Sequence, residues 1–266
     1  MKNHFRKYLR WAVAVSAFGF GFSQAGIVIT GTRVVYPAQE REVTIKINNT
    51  GALPALVQSW IDDGNEKTSA QEKSMPFSLL PPVFRVDPGK AQTLRMSYTQ
   101  EPLPQDRESV FWLNVLEIPP RPDAETRESR NLLQMAFRSR IKIFFRPQGL
   151  PGDADAAAAG LRWQLTANEA GTGYDLEAEN PSAFHVSISK ASVSFGEQAY
   201  EAGSGMVAPR GSQRFPLAGL AAKPAAAPRI RFTAINDYGA LVDREAGPEI
   251  RGEQQVAPPS EAAPNT

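Results

Sequence analysis

This chain of 266 residues contains no cysteine at all. That absence excludes thiol nucleophiles, thiolate metal sites and any disulfide framework. Histidine is nearly as scarce: His4 lies in the first 25 residues, which leaves His185 alone in the remainder. One imidazole leaves little room for a catalytic triad and none for a histidine-rich metal centre. After residue 25 no apolar run approaches the ~20 residues needed to cross a bilayer. No basic block is present either. Of 29 Lys and Arg, four fall in residues 1–25, so the remainder carries 25 cations against 28 acids. That balance argues against a nucleic-acid partner and leaves only locally placed cations to do chemistry.

What is present begins with an export signal. Lys2, Arg6, Lys7 and Arg10 precede an apolar stretch from Trp11 to Phe22, and Ser23-Gln-Ala25 supplies small residues for cleavage. This pattern predicts a signal peptide over 1–25, with Gly26 as the first mature residue, and no membrane insertion. The apolar stretch is about a dozen residues, too short for an anchor that spans. An exported chain of this size can bury its cores without disulfides.

The remainder reads as β throughout. Residues 27–36, 42–48, 55–61, 84–86, 93–98, 111–118 and 132–145 are short apolar or alternating runs between turn signals such as Asp87-Pro-Gly89. Seven such strands predict an immunoglobulin-like sandwich over 26–147. Pro147-Gln-Gly-Leu-Pro-Gly152 reads as a linker over 148–152, and the alanine-rich 153–160 as a surface loop. A second, smaller sandwich is predicted over 153–245, from strands at 161–167, 173–179, 184–193, 213–217 and 229–235. Ala240 to Gly247 offers only a stub of a last strand. The Pro- and Ala-rich 246–266 reads as a disordered tail.

Leu133 to Lys142 stands out. Leu133, Met135, Phe137 and Ile141 share one face of an extended strand, and Gln134, Arg138, Arg140 and Lys142 share the other. Period-two alternation of this length is a strong strand signal. Single cations in strands usually face water, but Lys142 sits inside the very apolar Ile141-Lys-Ile-Phe-Phe145. A cation there lies at an edge or beside a cleft that takes an anion. Arg33, Arg140 and Arg146 are weighed with it, and Glu108 and Asp237 are possible partners of Arg146. Asp62-Asp-Gly-Asn-Glu66 lacks the ligand spacing of a calcium loop and reads as a plain turn. His185 reads as structural. No pair of carboxylates or nucleophile–base set points to an enzyme.

Several spaced motifs together resemble the periplasmic pilus-assembly chaperones of the chaperone–usher pathway. They are Thr32-Arg-Val-Val-Tyr-Pro37, Gln58-Ser-Trp60, Pro81-Pro82, Pro104-Gln-Asp-Arg-Glu-Ser109, Asn114, Glu117-Ile-Pro-Pro120, Arg140-Ile-Lys-Ile-Phe-Phe-Arg-Pro147, Glu179-Asn-Pro181 and Ile235-Asn-Asp-Tyr-Gly239. The resemblance implies two immunoglobulin-like β-sandwich domains set as a boomerang. It implies a periplasmic protein, not an enzyme, with no cofactor, whose partners are pilus subunits and an outer-membrane usher. A subunit of this pathway is a sandwich missing its last strand, and the chaperone lends one. Chaperone–pilin complementation is itself a recognised case of strand addition, so this mechanism comes with the resemblance and not from the spacing. The lent row matches Leu133, Met135, Phe137 and Ile141. Arg33 and Lys142 match the pair that holds the subunit's terminal carboxylate, and Glu108, Arg146 and Asp237 match an interdomain ionic triad. The alternative is a secreted two-domain adhesin or fibre component, in which the same row would lie in the protein's own core.

Overall fold

The computed structural model describes residues 26–67, 75–121 and 134–246. The predicted signal peptide, Leu133 and nearly all of the predicted tail lie outside them. Two β-sandwiches are present. The first is built from β1 (Ile27–Ile29), β2 (Arg33–Pro37), β3 (Val43–Asn49), β4 (Ala55–Asp62), β5 (Phe77–Leu80), β6 (Val83–Val86), β7 (Ala91–Tyr98), β8 (Ser109–Ile118) and β9 (Phe137–Arg146). One sheet has the order β1-β3-β7-β5 and the other β2-β9-β8-β4-β6.

The opening segment, expected as one strand, is two. The chain pairs with β3 through Ile27–Ile29, crosses over between the layers, and pairs in parallel with β9 through Arg33–Pro37. Both layers bury the inward half of each alternating strand, which is where the sandwich gains its apolar burial. Tyr36, Ile47, Leu94, Met96, Leu113, Ile143 and Phe145 are fully enclosed. Tyr36 also fixes its surroundings, because its hydroxyl accepts from the Tyr98 N–H at 3.0 Å and lies 3.1 Å from the Glu40 and Arg41 carbonyls.

The second sandwich contains β10 (Arg162–Ala167), β11 (Tyr174–Asn180), β12 (Val186–Phe195), β13 (Gln198–Val207), β14 (Gly211–Pro216), β15 (Arg229–Ile235) and β16 (Leu241–Ala246). Its sheets run β10-β11-β14 and β13-β12-β15-β16 around Trp163, whose ring meets Phe215 and Phe232. Three expectations are corrected here. Residues expected as a surface loop form α1 (Ala154–Ala159), capped by Asp153, whose carboxylate accepts from the Ala156 N–H at 2.7 Å; Ala157 and Ala158 enter the core. A whole strand, β13, lies where Gly203 and Gly205 obscure the alternation. The last strand is not a stub, since β16 pairs with β15 from Leu241 to Ala246, taking in the first residue assigned to the tail.

Candidate functional site

β9 has two unlike halves. From Lys142 to Arg146 it lies between β2 and β8, and Ile143, Phe144 and Phe145 are buried. From Phe137 to Ile141 its only strand neighbour among the described residues is β8, so the other backbone edge is open. The predicted row behaves accordingly. Ile141 is half-buried against the core, while Phe137 is 45% exposed and Met135 53% exposed. The strand starts at Phe137 and not at 132, so Met135 precedes it. The reason lies across the hairpin: β8 ends at Ile118, and Pro119 and Pro120 have no N–H to continue a ladder. The Gln134 side chain instead donates to their carbonyls at 3.3 and 2.9 Å.

At the other end of this open edge the parallel register sets Arg33 directly opposite Lys142. Arg33 donates to the Ile235 carbonyl at 2.8 Å and lies over the Phe144 ring, and its Nε is buried without a hydrogen-bond partner. Lys142 Nζ donates to the buried Ser187 hydroxyl at 3.3 Å. Among the described residues neither cation has a carboxylate at ion-pair distance. Burial, and then the charge of Arg33, push the Lys142 ammonium below its ordinary pKa. Burial also lowers Arg33, opposed by the more distant Asp237 and Glu108. Two like charges short of counterions at a domain cleft form a site suited to an anion.

Behind them lies an ion cluster that joins the domains. Arg146 donates to Glu108 at 2.7 Å and forks onto Asp237 at 2.7 and 3.0 Å. Burial alone would lower the Arg146 pKa, but these carboxylates outweigh it and raise it. Glu108 is 3% exposed and also accepts from the His185 N–H at 2.7 Å, while its own N–H donates to Ala183 at 2.9 Å. Asp237 is held in place by the turn that ends at Gly239. That residue has φ +82°, and a Cβ there would lie 2.5 Å from Thr32 Oγ1. The His185 side chain packs against Phe144, with Nδ1 3.4 Å from Glu108.

Ser187 and His185 in the cleft were not picked out by the motifs. Nor was Asp62, which anchors the outward, cationic face of β9. There Asp62, fully buried, accepts from Arg140, from Asn114 at 2.7 Å and from the Gly64 N–H at 2.8 Å. Burial alone would raise this carboxyl, but those bonds and the charge of Arg140 hold it below its ordinary 3.8. Its folded pKa lies below its unfolded one. Its ionised form therefore contributes stability that is fully present above about pH 4 and is lost as pH falls through the folded value. Urea unfolding between about pH 5 and about pH 2.5 is expected to show a shallower acid loss in Asp62→Asn than in the parent. Parallel curves would contradict it.

Comparison with known proteins bears on the two sandwiches as a whole. Residues 26–151 match the family model described as the pili and flagellar-assembly chaperone PapD N-terminal domain, and 156–246 match the PapD C-terminal domain. The Bordetella pertussis chaperone protein FimB/FhaD is 42% identical over 228 residues, covering 84% of this chain and 88% of that one. The crystal structure of the Pseudomonas aeruginosa CupB2 chaperone aligns with a TM-score of 0.68 at 38% identity, covering 83% of this chain and all of that one. The Salmonella enterica SafB chaperone in complex with the SafA pilin aligns at 0.69 and 25%, covering 84% of this chain and 97% of that one. With both domains matched and the relatives covered nearly end to end, the chain belongs to the PapD-like pilus-assembly chaperones.

Proposed function

We propose that this protein captures pilus subunits in the periplasm by lending them the open half of β9 and passes them to an outer-membrane usher. The observation that carries this reading is the open edge from Phe137 to Ile141, with an exposed apolar row at one end and the Arg33–Lys142 pair at the other. A subunit strand added to that edge gains backbone hydrogen bonds, and its groove takes up Leu133, Met135 and Phe137. Each apolar side chain so buried contributes ~1.5–3 kcal/mol. The subunit's terminal carboxylate meets Arg33 and Lys142 through charge-assisted bonds worth ~1.5–3 kcal/mol each. Five residue steps separate Phe137 from Lys142, roughly 17 Å of strand. The anchored end therefore sets which subunit residue faces the groove, and a slip of one residue would turn the row outward. Glu108, Arg146 and Asp237 hold the two domains in the relation that shapes the cleft.

That the SafB chaperone is solved in complex with the SafA pilin supports a pilus subunit as the partner. The adhesin reading requires the row to be covered by the protein's own core, and Met135 and Phe137 are not. Phe137→Asp, expressed in the periplasm with a pilus subunit encoded beside the chaperone, is expected to lose at least about 90% of the co-purified complex. Its unfolding midpoint should stay within about 2 °C of the parent, because substitutions at exposed positions cost little. Undiminished complex from Phe137→Asp would refute the strand-lending reading.

A further inference from the structure

The turn Asp62-Asp-Gly-Asn-Glu66 does more than connect strands. The open half of β9 has a single strand neighbour, and its apolar face contributes little packing beyond Ile141. This half is an edge strand, held on one side only by its ladder to β8, which pairs in turn with β4. What remains to hold it is the opposite, outward face. Trp60, Asn114 and Arg140 lie level across β4, β8 and β9, as do Asp62, Trp112 and Lys142 one step along. Arg140 lies over Trp112 with its charge centre 4.8 Å from the ring, and Arg138 lies over Trp60 at 5.0 Å. Arg138 forks onto Asn114 Oδ1 at 2.8 and 2.6 Å and donates to the Glu66 carbonyl at 2.7 Å. Asn114 in turn donates to Asp62, which grips Arg140. The turn folds back onto this lattice through Gly64, at φ +111°, where a Cβ would stand 3.3 Å from the Trp112 ring.

We propose that Asp62 and its turn form a positioning clamp for the lent strand. With Asn114 they hold Arg138 and Arg140 over Trp60 and Trp112, and so keep the open half of β9 extended and in register before any subunit arrives. A fully buried carboxylate on the outer face of a sheet is uncommon. A carboxylate held there by three donors fixes geometry more than it adds stability. A strand already straight avoids the ordering cost of binding. The clamp rests on the strand-lending reading above, and it adds Asp62 and Asn114 as positioning residues that touch no subunit.

The test uses a reciprocal swap. In Asp62→Asn the new amide nitrogen must face a donor, whether Asn114, Arg140 or the Gly64 N–H; in Asp62→Asn with Asn114→Asp it can face an acceptor at position 114. Association of the purified full chain with a pilus subunit diluted from denaturant is measured well below each variant's unfolding midpoint, alongside amide exchange over residues 137–141. The single variant is expected to associate about tenfold more slowly, the scale of one charge-assisted hydrogen bond, with faster exchange in that segment. The swap should return to within about threefold of the parent. Arg138→Gln covers the case in which Asp62→Asn does not fold; about a threefold loss is expected from it. Parent-like association in folded Asp62→Asn or Arg138→Gln would overturn the clamp, as would a folded swap that stays as slow as the single variant. Phe137→Asp and Lys142→Met, run beside them, separate the claims. If those two capture normally the strand-lending reading falls; if they fail while Asp62→Asn captures normally, only the clamp falls.

Discussion

Lys142→Met is expected to abolish subunit capture and to raise the protein's own unfolding midpoint. The ammonium is half-buried, directly opposite Arg33, and its polar contact among the described residues is the Ser187 hydroxyl. Burial and a like charge push its pKa down, so in the free protein the charged form is a cost. Methionine matches the length of the stem and removes that cost. For a protein of this size each kcal/mol relieved raises the midpoint by about 2–4 °C. The sign of the pH dependence follows. The folded pKa lies below the unfolded one, so the penalty is complete below the folded value and is relieved as pH rises through it. The parent should gain stability toward about pH 10, near the unpaired lysine value, and the variant should not. Calorimetry and co-purification with the subunit read both effects. Capture by a folded Lys142→Met would move the anchor elsewhere, and a lower midpoint would show the lysine to be structural.

Arg146→Met is expected to be the most damaging single change to stability. It leaves Glu108, 3% exposed, without the guanidinium 2.7 Å away. Removing one member of a buried ion pair costs about 3–5 kcal/mol, which corresponds to roughly 10 °C here. Asp237 is less enclosed and can turn to water. Adding Glu108→Gln should therefore recover part of the loss, since it removes the stranded charge. Urea unfolding should also lose its single transition, because this cluster spans the two domains. A loss below about 1 kcal/mol would mean that the cluster does not hold the domains together.

The fold class and the site were legible to different degrees. β9 announced itself through alternation, and Lys142 through its place in an apolar run. The start of β9 did not, because the alternation continues unbroken past Met135 and the pairing is ended by Pro119 and Pro120 on the other strand. β13 was hidden by two glycines, and α1 by an alanine run too short for a periodic signal, although Asp153 as a cap was there to be read. Asp62 illustrates the limit. Period two places it with Trp60 on the outward face of β4, but its partners Asn114 and Arg140 lie 52 and 78 residues away. No local pattern records a contact of that range.

The segment from Gln105 to Ser109 ties the domains and then becomes β8 without a break. Asp106 is held by Arg210, and Glu108 by Ala183, His185 and Arg146. β8 is the neighbour on which the open half of β9 rests. A change in the angle between the domains therefore pulls on the root of the lending hairpin. Coupling of this kind is reciprocal. To whatever extent a bound subunit favours one angle, a partner that grips the second domain and favours another must weaken the hold on that subunit, without touching the strand that carries it.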